Sequence, residues 1–182
     1  MRATFVVLPL LLLAACSSSR ETSMGKTRDA PPSQVLTVQL LGPSGELRGT
    51  TTLEQRGSDL RVAAQVEGLA PGTYAIHLHR IGVCSPPSFE SAGPHFNPTM
   101  KQHGRDNPLG THLGDLPNIV VAAGGKGDLV HTVAGVMLSG GATPLLDADG
   151  AAVVLHAGAD DYRTDPSGNP GARIACGTLS PR

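Results

Sequence analysis

The chain has 182 residues, a formal net charge of −1, 23 Gly, 15 Pro, no Trp and an aromatic content of 3%. That length suits one domain with a real core, and the turn-rich composition points to short strands rather than long helices. Near-neutral charge without a basic block, and few aromatics, give no footing for nucleic-acid binding.

Residues 1–15 read as a signal peptide. Arg2 precedes an apolar run from Phe5 to Leu13, followed by small residues. The run is too short to span a bilayer comfortably and has the layout of an export signal. Its end, Leu13-Ala14-Ala15-Cys16, resembles the lipobox of bacterial lipoproteins. That resemblance implies cleavage before Cys16 and lipidation of it. The chain would then be exported to the cell envelope and anchored to a membrane through Cys16, on the periplasmic or outer-membrane side. The plain alternative is an ordinary signal peptide with an incidental cysteine. Residues 16–34 are polar and aperiodic, a tether that would reach about 60 Å fully extended.

The folded domain is expected over 35–182. VLTVQLL opens it, followed by the Thr-rich LRGTTTLEQR, DLRVAAQVEG after a Gly-Ser turn, and TYAIHLHRIG after Leu-Ala-Pro-Gly. NIVVAA, DLVHTVAGVM, AAVVLHA and RIACGTL complete the set. Eight strand candidates between Gly/Pro/Asp turns predict an all-β antiparallel sandwich or barrel. Two long loops interrupt it, 82–117 and 157–172.

With Cys16 lipidated, Cys84 and Cys176 remain, and an oxidising compartment favours their pairing. The bridge would close a loop of about a hundred residues, contributing about 4–5 kcal/mol in the chain-entropy model.

The histidines are clustered. His77 and His79 stand two apart on a strand candidate, so both rings share one face, about 7 Å apart. His156 ends another strand candidate. His95, His103 and His112, with Asp115 three residues on, fall in HFNPTMKQHGRDNPLGTHLGD, which has neither helical period nor alternation. Loops this long in compact domains are usually functional or disordered. Only His131 stands outside these groups, and it reads as structural. Imidazole suits copper and zinc, and a mixed His/Asp set suits zinc.

The order HLH, Cys84, SAGPHFNP, His103, HLGDLPN, LHAGADD and GNPGARIACG closely resembles copper/zinc superoxide dismutase, over about Val35 to Leu179. The resemblance implies a Greek-key β-sandwich or flattened barrel. It implies one copper ion per subunit on His77, His79, His95 and His156, and one zinc ion on His95, His103, His112 and Asp115. His95 would bridge the two metals and accept a proton during turnover. Arg173 would hold the superoxide substrate at the copper mouth. Asp160 would join a copper-side and a zinc-side histidine, and Cys84–Cys176 would pin the long loop to the last strand. The neighbouring Asp161 is the alternative carboxylate for that role.

Three features depart from the family or fall outside its ligand pattern. Arg80 follows HLH where the family often has an acid. The segment from Cys84 to His95 is longer than in many eukaryotic members, and the loop from His156 to Arg173 is shorter. Lys101, Arg105 and Lys126 read as solvated charges rather than substrate guides. Metal-delivery and non-catalytic binding modules on the same scaffold are the rival classes; the first would more often lack a full copper set or Arg173, the second predicts broken ligand positions, and this chain shows neither departure. The sequence leaves a homodimer open.

Overall fold

A computed structural model describes Met1 and residues 34–180 of the chain. The signal peptide and lipidation site expected from the sequence, and the tether up to residue 33, lie outside the described residues. Nine strands follow in order: β1 Val35–Leu41, β2 Leu47–Arg56, β3 Asp59–Val66, β4 Gly72–Tyr74, β5 Ile76–His79, β6 Ile119–Val121, β7 Gly127–Val133, β8 Ala151–His156 and β9 Arg173–Leu179. One short 3-10 turn, Glu90–Ala92, is the only helical segment among the described residues.

Seven strands form one antiparallel sheet in the order β5-β8-β9-β1-β2-β3-β7, and β4 pairs with β6. Chain-distant neighbours, β9 beside β1 and β7 beside β3, carry the expected Greek-key crossings. The hairpin of β2 and β3 turns through Gly57 and Ser58, with Arg56 opposite Asp59. Along the whole of β3, buried residues alternate with more exposed ones, so one face meets the core.

The count is nine rather than eight because the fourth candidate breaks at Ala75. The Ala75 N–H donates to the Gly158 carbonyl, and its own carbonyl accepts from the His156 N–H. The chain thus leaves the β4–β6 ladder and enters the β5–β8 ladder, where Ile76 faces Leu155 and His77 faces Val154.

All six residues of β8 are buried. Ala151, Val153 and Leu155 join the main core with Leu40, Leu53, Leu78 and Leu179. Ala152 and Val154 face outward, into a second cluster with Phe89, Ala92 and Cys176. The segment carrying Phe89 therefore roofs the outside of β8. Cys84 and Cys176 form the expected disulfide, with Cα atoms 5.7 Å apart, fixing that roof to β9.

Candidate metal centre

His77 and His79 alternate with the core residues Ile76 and Leu78, so they project from the outer face of β5. His156 ends β8 with the outward parity of Ala152 and Val154. The 95–115 loop closes on β5 as a false strand. Leu78 N–H donates to Gly114 O, Phe96 N–H donates to Leu78 O, and bridges place His77 beside Asp115 and His79 beside His95. A loop without periodicity is thus held to a strand edge, bringing His95 to the others.

The ligand atoms of His77, His79, His95 and His156 lie within 4.8 Å of one another. His77 Nδ1 and the Nε2 atoms of His79, His95 and His156 are buried without a hydrogen-bond partner. One unsatisfied buried polar atom is costly; four converging on one point fit a bound cation. The opposite nitrogens are oriented from outside. His79 Nδ1–H donates to Gly93 O at 2.8 Å, His77 Nε2–H donates to Asp160 Oδ2 at 2.9 Å, and His156 Nδ1 lies 3.4 Å from Gly171 O. Burial lowers all four histidines, His95 to about 4 and His156 to about 3. They are held neutral, the form that binds metal.

His95, His103, His112 and Asp115 form a second set within the same limit. Their three Nδ1 atoms crowd one oxygen, Asp115 Oδ1, at 2.9, 3.0 and 3.1 Å. Asp115 Oδ2 accepts from Thr111 Oγ1–H and from the N–H groups of His112 and Gly104. His112 Nε2 faces the Lys101 carbonyl at 3.1 Å. A neutral His112 donating there presents a lone pair on Nδ1 to a carboxylate oxygen, an arrangement that fits a cation between them. Burial raises Asp115, but hydrogen bonds from His103, His95 and the Gly104 N–H outweigh it and hold the carboxyl far below its ordinary range.

Asp160 stands between the sets: Oδ2 takes His77 Nε2 and Oδ1 takes His103 Nε2, both at 2.9 Å. Arg173 is fixed at the start of β9, where Nη1 donates to Phe89 O at 2.8 Å and Nη2 to Gly93 O at 2.9 Å. A bulge after Leu155 makes His156 and Arg173 register partners. His131 lies on β7 outside every such cluster.

Among the basic residues, Lys101 borders a cleft of about 550 Å³ with His95, His112, Arg80, Asp147 and Asp165. Arg105 instead lies over the Tyr162 ring, and Lys126 lines a separate polar pocket with Glu67 and Asp128. Sequence reasoning missed Asn118, whose side chain clamps the Asp160 backbone, and Asp165, which accepts from the His103 N–H. Asn118 is the last residue of HLGDLPN and Asp165 lies four residues past LHAGADD, which is all the sequence offered for either.

The family model for copper/zinc superoxide dismutase matches residues 47–179. A superoxide dismutase-like protein, YojM, of Bacillus subtilis is 44% identical over 78% of this chain and 74% of its own. A Cu-Zn superoxide dismutase of Aquifex aeolicus is 40% identical over 78% of this chain and 84% of its own. The crystal structure of a SOD-like protein from Bacillus subtilis superposes with a TM-score of 0.75 at 42% identity, covering 79% of this chain and 97% of that one. The chain belongs to the copper/zinc superoxide dismutase family. It is an oxidoreductase of that family, with copper and zinc as its cofactors.

Proposed function

We propose that His77, His79, His95 and His156 bind the copper ion, that His95, His103, His112 and Asp115 bind the zinc ion, and that His95 serves both through its two ring nitrogens. The observation carrying this is the set of four buried, partnerless nitrogens next to three others crowding one carboxylate oxygen. The reaction turns two superoxide ions and two protons into dioxygen and hydrogen peroxide. When bound, copper supplies the one-electron chemistry and zinc a fixed positive charge.

The chain's own groups do the rest. Arg173 attracts the anion and holds it by the guanidinium N–H groups that the Phe89 and Gly93 carbonyls leave free. His95 can hold a proton at Nε2, on the side shared with His77, His79 and His156, for delivery to the reduced oxygen species. Asp160 fixes the tautomers of His77 and His103. The same reading puts the enzyme in the cell envelope, tethered through Cys16, removing superoxide that arises outside the cytoplasm. The signal-like start and its lipobox-like end support that location.

The test measures metal content and superoxide decay together on protein lacking residues 1–16. About one copper and one zinc per chain with metal-dependent decay is expected. Copper-loaded protein that leaves decay unaccelerated refutes the assignment.

A further inference from the structure

We infer that Tyr162 is a positioning residue for the metal centre, locking the 95–115 and 157–172 loops around Asp160. This role rests on the copper/zinc assignment above. Asp160 joins His77 to His103, so its placement decides how a residue of each set is aimed. Tyr162 N–H donates to Asp160 Oδ1 at 2.6 Å. Asp160 N–H donates to Asn118 Oδ1, and Asn118 Nδ2–H returns to Asp160 O, both at 2.9 Å. Asn118 N–H then donates to the Tyr162 hydroxyl at 2.8 Å. The three residues form a closed ring of hydrogen bonds, and the phenol oxygen is the member that closes it.

Tyr162 also grips the 95–115 loop. Its carbonyl accepts from the Asp106 N–H at 3.0 Å, and the Arg105 guanidinium lies 3.8 Å above its ring centroid. The approach is tight: at Gly104, with φ +99°, a Cβ would fall 2.1 Å from Tyr162 O. The carboxylate is closely packed as well: a Cβ at Gly168 would fall 1.9 Å from Asp160 Oδ1. Tyr162 itself has φ 60°, uncommon for a residue with a side chain. Surroundings that enforce such a conformation often serve a site. Phenylalanine would keep the ring under Arg105 but leave the half-buried Asn118 N–H without its acceptor.

The experiment uses the full chain loaded with copper and zinc, and follows zinc transfer to an excess of chelator. Tyr162→Phe is expected to speed zinc loss about tenfold, the lower end of the range for partners behind metal ligands. Its copper electron-spin-resonance spectrum should shift as His77 is re-aimed. In an Asp160→Asn background the same substitution should add nothing, because Tyr162 acts through Asp160. Wild-type zinc retention in Tyr162→Phe overturns the role, and so does an equal acceleration in both backgrounds, which marks general loosening. Arg105→Gln, read in the same cycle, supplies a second variant should Tyr162→Phe not fold. A wild-type chain that takes up no zinc refutes the metal assignment itself, a result distinct from these.

Discussion

Arg173 and His79 donate to the same acceptor, the Gly93 carbonyl, at 2.9 and 2.8 Å. One backbone oxygen thus sets the proposed substrate-holding cation and a proposed copper ligand relative to each other. Phe89 O fixes the second guanidinium nitrogen. Arg173→Ala removes the charge but leaves His79 its acceptor. Copper content should hold, while kcat/KM for superoxide falls about tenfold or more and loses much of its salt dependence, as expected when steering is lost. Arg173→Lys keeps the charge without the two-carbonyl fork and should fall between. Superoxide decay across ionic strength checks both; an unchanged rate for Arg173→Ala refutes the role.

Asp115 bears differently on the two metals. It belongs to the zinc set, and its carboxylate hydrogen-bonds one member of the copper set, His95. Asp115→Asn keeps the shape and loses the charge that three imidazoles surround. Zinc affinity should drop by more than the roughly 10–100-fold typical of partners behind a ligand, with copper largely retained. Metal analysis after dialysis decides it; equal loss of both metals contradicts the division of ligands.

Much of this site was legible because its residue types are rare and their spacing is rigid. HLH on a strand has one outward face, so His77 and His79 had to share it. The Cys84–Cys176 pair was legible from the cysteine count of an exported chain, and it forms. Asp160 was implied by the family resemblance alone, and its carboxylate lies between His77 and His103. The break at Ala75 was not legible, since TYAIHLH carries one unbroken β pattern and only tertiary partners, Gly158 and His156, make it change ladders. Asn118 and Tyr162 escaped for a similar reason. Their roles are hydrogen bonds across more than forty positions of sequence, which no local period encodes. Arg105 read as a solvated charge, and its aromatic partner lies in another loop.

The disulfide should matter for chemistry as well as stability. Cys84 opens the segment whose Phe89 and Gly93 carbonyls hold Arg173, and Cys176 lies in β9, three residues past Arg173. Cys84→Ser with Cys176→Ser should cost about 2–5 kcal/mol of stability. It should also lower kcat/KM at temperatures where the protein is still folded, as the carbonyls drift from the guanidinium. Denaturant unfolding beside superoxide decay tests this, and full activity in the folded double variant rules out the positioning part.

Metal removal should leave a pH profile with a maximum. His95, at about 4, and His156, at about 3, are lowered by burial from an ordinary value near 6.5. Between these values and 6.5 the unfolded chain binds more protons, so stability falls as pH drops through that window. His103 runs the other way. Burial pushes it down, but hydrogen bonds to Asp115 and Asp160 win and raise it to about 9. Its contribution is complete below 6.5 and fades as pH rises through 9. Chelator-treated protein with its disulfide intact should therefore have its highest Tm near pH 6.5–7. Metal-loaded protein, its imidazoles no longer free to titrate, should vary far less over pH 5–9. Thermal melts of both forms across that range are the check. A metal-free Tm that climbs steadily from pH 6.5 to 9 contradicts the opposing action of His103.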